Sequence, residues 1–60
     1  MQTIYDFVAE LFNSCREGAE KMTVEDAALD IENFKREGWT LPEDITPEEY
    51  AEIWNSFCDD

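Results

Sequence analysis

The sequence contains no histidine, and no lysine or arginine follows Arg36. Without histidine the chain lacks the commonest general base and metal ligand of enzyme active sites. Ser14 and Ser56 each follow an asparagine on a predicted helix surface, and neither has a neighbouring group that could activate its hydroxyl as a nucleophile. We therefore expect that the protein is not an enzyme and that it has no cofactor.

Cysteine is scarce as well. Cys15 and Cys58 lie 43 positions apart, and neither belongs to a CxxC pair. This spacing excludes zinc-finger and thioredoxin-type sites, so we expect two free thiols buried in the core. No apolar run approaches the length of a membrane span, and no positively charged leader precedes an apolar segment. These absences predict a cytoplasmic protein without membrane contact.

Carboxylates alone can bind calcium or magnesium, so the acid-rich stretches 25–30 and 43–49 are the candidate metal sites of this sequence. An EF-hand loop needs alternating oxygen ligands around a central glycine, closed by a glutamate. Neither stretch has that register. Both have a simpler explanation as acids near helix N-termini, where the helix dipole favours negative charge. We expect no specific metal site.

Acidic residues dominate what is present. Sixteen aspartates and glutamates face four lysines and arginines, which gives a formal net charge of −12 at pH 7. Residues 37–60 carry eight of these acids and no base, although helical surfaces ordinarily mix both signs. At 43% hydrophobic and 13% aromatic, the chain is too apolar for a disordered acidic tail. The composition predicts a folded domain that repels nucleic acid and anionic membranes and attracts basic protein surfaces.

Three segments show the apolar spacing of amphipathic helices, and they predict an all-α fold: a small three-helix bundle in one domain, residues 1–60. The predicted helices span about 4–17, 24–37 and 47–58. The predicted core stripes are Ile4, Phe7, Val8, Leu11, Phe12 and Cys15 in the first helix; Val24, Ala27, Ala28, Ile31 and Phe34 in the second; and Tyr50, Ile53, Trp54 and Phe57 in the third. A bundle this small has a thin core, so a dimer is also compatible with the pattern.

Local signals mark the ends of these helices. A threonine that can cap the helix precedes each one: Thr3, Thr23 and Thr46. Gly18 and Gly38 are predicted to end the first two helices. If Gly38 adopts the left-handed conformation, Trp39 can pack back on Phe34.

The acids are predicted to occupy the outer helix faces, opposite the apolar stripes: Asp6, Glu10 and Glu17; Asp26, Asp30 and Glu37; and Glu48, Glu52 and Asp59. Duplex DNA carries one charge per 1.7 Å of axis, so twelve net charges match those on roughly 20 Å of duplex. The chain could therefore present a DNA-like density of carboxylates to a basic groove.

The leading functional hypothesis is a small acidic inhibitor or modulator. It would dock by charge mimicry of DNA on a basic, nucleic-acid-binding protein and would not bind nucleic acid itself. Anti-restriction and anti-CRISPR proteins of phages and mobile elements act in this way as a class, and the analogy rests on size and charge alone. The residues expected to contact the partner are Glu43, Asp44, Glu48, Glu49, Glu52, Asp59 and Asp60, with Trp39 or Tyr50 as an aromatic anchor.

The alternative hypothesis is a structural interaction module whose charge serves solubility only. Leu29 lies off the predicted stripe of the second helix, Tyr5 lies at the edge of the first stripe, and Trp39 and Leu41 lie in a loop. If these side chains are exposed, the helices could pair with a second copy or with a larger assembly through apolar surface.

Overall fold

The computed structural model describes residues 2–15 and 19–59. Three helices run through this part of the chain: α1 (Ile4–Ser14), α2 (Val24–Arg36) and α3 (Pro47–Cys58). The described residues contain no strand. The predicted all-α three-helix fold is thus confirmed. Helices α2 and α3 match their predicted ranges to within one residue, whereas α1 ends three residues early; Gly18, the predicted stop, lies outside the described residues.

Threonine caps start all three helices, as predicted. The Oγ1 atoms of Thr3, Thr23 and Thr46 accept hydrogen bonds of 3.1, 3.1 and 3.2 Å from the backbone amides three residues further on. Each bond satisfies one of the amides that a helix N-terminus leaves without an intrahelical partner. Acids in the first turns of the helices add a favourable interaction with the helix dipole.

Helix α2 ends in a Schellman motif. Gly38 has a φ of +84°, its amide donates to the Lys35 carbonyl at 3.1 Å, and the Trp39 amide donates to the Phe34 carbonyl at 2.9 Å. The Trp39 and Phe34 rings lie 4.8 Å apart between centroids, which is the apolar contact typical of this motif. The predicted packing of Trp39 on Phe34 is confirmed.

Helix α3 packs against both other helices, whereas the backbones of α1 and α2 do not approach each other closely. The two outer helices meet through side chains, with the Phe7 and Phe34 rings 5.6 Å apart in an edge-to-face arrangement. The buried core consists of Phe7, Val8, Ala27, Ile31, Tyr50, Ala51 and Trp54. Because α3 has a neighbour on two sides, it buries a wider arc than its predicted stripe, and Ala51 joins the core.

Two core predictions for α2 are wrong. Val24 is 47% exposed and Ala28 is also exposed, although both were placed on the apolar stripe. Helix α2 contacts α3 through the side that carries Ala27 and Ile31. Val24 and Ala28 lie to one side of this buried face, where neither residue is covered.

The prediction that both thiols lie in the core is also wrong. Neither cysteine forms a disulfide, but Cys15 is exposed and Cys58 is only half-buried. Cys15 is the C-cap of α1, with φ −112° and ψ 33°. The backbone therefore leaves the helical path at this residue, and Cys15 no longer follows the apolar stripe.

Side chains of α3 hold the segment that leads into α2. The Asn55 carboxamide accepts a 2.7 Å hydrogen bond from the Met22 amide and donates one of 2.8 Å to the Met22 carbonyl. The Trp54 indole donates to the Glu20 carbonyl at 2.7 Å. Partly buried backbone groups that lie outside any helix thereby find partners, which avoids the cost of leaving them unsatisfied.

We expect Asn55→Ala to lower the free energy of unfolding by about 2 kcal/mol, because it leaves the amide and the carbonyl of Met22 without partners. Urea unfolding followed by circular dichroism measures this loss. Ser56→Ala is the matched control, since the Ser56 hydroxyl is exposed and bonds only to the Ile53 carbonyl of its own helix. Equal losses in the two variants would contradict the assigned role of Asn55.

We expect Gly38→Ala to destabilise the protein by about 1 kcal/mol, because a residue with a Cβ disfavours the left-handed conformation. A Cβ built at Gly38 meets no atom within 4 Å, so the cost is conformational and not steric. Gly38→Asn should cost less, since asparagine tolerates this region better than alanine does. The midpoints of urea unfolding should therefore decrease from the parent to Gly38→Asn to Gly38→Ala. A Gly38→Ala variant as stable as the parent would contradict the expectation.

Candidate protein-binding surface

Five carboxylates form what we call the acidic surface: Glu43, Asp44, Glu48, Glu49 and Glu52. A turn closed by a 3.3 Å hydrogen bond from the Ile45 amide to the Pro42 carbonyl presents the first two acids. The Thr46 cap and Pro47 then start α3, which carries the other three. All five side chains are exposed. The loop and the first turns of one helix therefore place these predicted residues within a short stretch of chain.

No basic side chain in the described part of the structure lies within ion-pair distance of the acidic surface. The ion pairs there are Lys21 with Asp59, at 2.8 Å, and Arg36 with Glu32, at 3.9 Å. Neither pair involves one of the five carboxylates. The acidic surface thus faces solvent without an ion-pair partner among the described residues, so only water and dissolved salt lie next to its carboxylates.

Asp59 and Asp60, the other two acids predicted to contact the partner, do not belong to the acidic surface. Asp59 is exposed but binds Lys21, and this carboxylate raises the pKa of the Lys21 ammonium through a hydrogen bond and through its charge. A base distant in sequence therefore offsets part of the charge that the sequence assigned to the end of α3. Asp60 lies outside the described residues.

Tyr50 was predicted as an aromatic anchor for a partner, and this prediction is wrong for the folded chain. The side chain is 1% exposed and lies in the core, with its ring stacked 6.4 Å from that of Trp54. Its position on the inner arc of α3 directs it toward the other helices. Trp39, the other predicted anchor, is 48% exposed and rests on Phe34 and Phe7, so half of its surface is accessible to a partner.

The Tyr50 hydroxyl ends against an acid that sequence reasoning had placed on the outer face of α2. It donates a 3.3 Å hydrogen bond to a carboxylate oxygen of Asp30, which is half-buried. Asp30 lies only about 60° from Ala27 around the helix, which puts it at the border of the packed face. A buried tyrosine hydroxyl needs a polar partner, and Asp30 supplies it.

This environment shifts both titrations. Burial raises the pKa of Asp30, and the hydrogen bond from Tyr50 only partly opposes that effect, while the neighbouring charge of Asp26 adds to it. Burial and the charge of Asp30 also raise the pKa of Tyr50. Asp30 is therefore the described carboxyl whose ionisation the fold opposes most clearly.

A groove beside the acidic surface escaped the sequence reasoning. One depression is lined by Gln2, Thr40, Leu41, Pro42 and Glu43. An adjoining one is lined by Gln2, Thr3, Ile4, Pro42, Glu43, Asp44 and Glu49. The shared residues Gln2, Pro42 and Glu43 join them into one feature, which we call the groove. The groove brings together residues that lie about 40 positions apart in the chain. In the sequence, the one indication of it is Leu41, an apolar loop residue that the following proline keeps extended.

Several classes of site have no candidate in this structure. Among the described residues, no three carboxylates or thiols lie close enough together to hold a metal ion. No helix there is long and apolar enough to cross a membrane. Comparisons give no further guidance, since no protein-family profile, characterised protein or solved structure matches the chain.

The Asp30 environment predicts a pH effect on stability. A raised pKa means that the folded state binds the proton more tightly, so the stability that Asp30 contributes is greatest below 3.8, its ordinary pKa, and falls as the pH rises through the raised value. We expect Asp30→Asn, which retains an acceptor for Tyr50, to gain stability over the parent across this window. Urea unfolding at a series of pH values measures the difference.

Glu52→Gln is the control for that experiment, because it removes one negative charge from an exposed position on α3. The pH-dependent gain should be larger for Asp30→Asn than for Glu52→Gln. A difference between Asp30→Asn and the parent that stays flat or shrinks with rising pH would show that the fold does not oppose ionisation of Asp30.

Proposed function

We propose that this protein is a small acidic inhibitor or modulator that binds a basic, nucleic-acid-binding protein in the cytoplasm. The acidic surface would occupy the groove or channel in which the partner normally holds nucleic acid. The single observation that carries the proposal is the set of five exposed carboxylates without a basic neighbour in the described structure. On this proposal the protein works by binding and performs no catalysis.

The amount of charge supports this proposal over a role in solubility. A net charge of about 2 to 8 in magnitude is enough to keep a small domain soluble, and this chain carries −12. Excess charge of one sign destabilises a compact state through self-repulsion. A cost of this kind is easiest to understand if the charge serves recognition.

The dimensions of the molecule also suit mimicry of DNA. Its longest extent is 29 Å, and a duplex of that length carries roughly 17 phosphate charges. Twelve net charges on the protein give about two thirds of that density. A basic site evolved for DNA would thus meet a comparable field, and the association would be fast and electrostatically steered.

The alternative is an interaction module that associates through apolar surface. Among residues 2–15 and 19–59, four large apolar side chains are well exposed: Tyr5, Val24, Leu29 and Trp39, of which Leu29 is the most exposed at 59%. They do not form one patch, since Val24 and Leu29 lie about 140° apart around α2. Trp39 and Tyr5 rest on different aromatic neighbours, Phe34 and Phe57. Scattered exposed apolar residues are ordinary in small proteins and favour no such interface.

The two hypotheses differ in their response to charge reversal. We expect the triple variant Glu48→Lys, Glu49→Lys and Glu52→Lys to lose capture of the basic partner from a lysate of the host, by at least tenfold at physiological salt. Three reversals change the net charge by six, and they place lysines where the partner's own bases would lie. Immobilised protein, salt elution and mass spectrometry quantify what is retained.

The matched control reverses Glu25 and Glu32 on α2 and Glu37 at its C-cap, which are all exposed and change the net charge by the same amount. The α3 variant places two lysines in the first turn of its helix and the control places one, so both bear a cost to stability from the helix dipole. Circular dichroism verifies that each remains folded. Retention by the α3 variant equal to the parent, or equal losses in the two variants, would exclude the acidic surface as the binding site.

A further inference from the structure

The groove has an apolar floor and an acidic rim. Its floor is formed by Ile4, Leu41 and Pro42, which are half-buried and so are held in place by the fold. Glu43, Asp44 and Glu49 line the same groove, and all three are exposed. The two depressions have volumes of about 340 and 510 Å³, within the range of pockets that accept small organic groups.

Pure mimicry of DNA does not require such a feature, because charge complementarity to a basic site needs carboxylates and no apolar pocket. An apolar side chain that enters the groove would leave water while its flanking charges meet the rim. The rim selects for positive flanks, since a negative segment would be repelled by three carboxylates. A second copy of this chain is a poor occupant, because each copy carries a net charge of −12.

We propose that the groove binds a basic segment of the partner protein that carries one aliphatic side chain between lysines or arginines. The inference rests on the proposed function, because it names the part of the basic partner that the acidic surface receives. The aliphatic side chain lies against Leu41 and Pro42, and the cationic flanks pair with Glu43, Asp44 and Glu49. Charge brings the partner to the surface, and the groove adds selectivity among basic proteins.

Two synthetic peptides test this. The first is an amidated pentapeptide with a central leucine flanked by two lysines and two arginines, and the second has serine in place of the leucine. Titration into the isotopically labelled protein at low salt gives both affinities from amide chemical shifts. We expect the leucine peptide to bind about tenfold more tightly, because part of its side chain is buried, with shifts at Gln2, Ile4 and Leu41.

A variant that blocks the groove completes the test without removing a core contact. Thr40→Trp places a large side chain at an exposed lining residue. The preference for leucine should then fall below twofold, while the serine peptide binds as before. Asn13→Trp adds the same side chain at an exposed position on α1, outside the groove lining, and should leave the preference intact.

The other outcomes overturn the inference in distinguishable ways. Equal affinities for the two peptides would refute the groove while leaving binding by charge in place. Absence of binding by either peptide would overturn both the groove and the proposed function. Shifts at the groove amides that depend on protein concentration alone would identify a second copy of the chain as the occupant and would also refute the inference.

Discussion

The packing of α3 between the other two helices is the constraint on which the rest of the structure depends. Its inner arc supplies Tyr50, Ala51 and Trp54, three of the seven buried core residues in the described part of the chain. The same arc provides polar atoms, because Trp54 and Asn55 bind the backbone at Glu20 and Met22. A thin core thus gains long-range hydrogen bonds that fix where the chain enters α2. Without α3, the two outer helices would keep only side-chain contacts such as that of Phe7 with Phe34.

The outer arc of α3 carries three members of the acidic surface, so one short helix has a structural face and a recognition face. The chain's excess of negative charge sets these two faces against each other, because repulsion between the acids opposes the packing that the structural face provides. The fold reduces that opposition by keeping most acids exposed and by placing several in first turns, where the helix dipole favours them. Asp30 departs from this arrangement, since the Tyr50 hydroxyl holds its carboxylate at the border of the core. Burial raises the pKa of Asp30, so this is a described carboxyl whose charged form the fold disfavours.

The helix starts and the end of α2 were predictable because each depends on a few neighbouring residues. A threonine cap requires only the threonine hydroxyl and the backbone amide three residues further on. The Schellman motif requires only a glycine at the end of the helix and an apolar residue after it, here Gly38 and Trp39. The five exposed acids were predictable for a similar reason, since no base occurs near them in the sequence. Val24 and Cys15 were misjudged because their burial depends on which side of each helix meets a neighbour, or on where the helix ends. Tyr50 lies in the core, as its place on the apolar stripe predicts, and this burial contradicts its second assignment as an anchor for a partner. Three features bring together residues far apart in the chain: the Lys21–Asp59 ion pair, the Tyr50–Asp30 hydrogen bond and the groove. No local sequence pattern predicts them.

Displacement by DNA at constant ionic strength tests the central claim most directly. The protein is immobilised, loaded with a lysate of its host, washed, and then exposed to a duplex in buffer whose salt concentration does not change. If the acidic surface occupies a nucleic-acid site, the duplex releases a basic protein from the matrix, and raising the salt alone releases the same protein. A partner that remains bound in the presence of the duplex and through high salt would contradict charge mimicry and would place the binding energy in apolar surface.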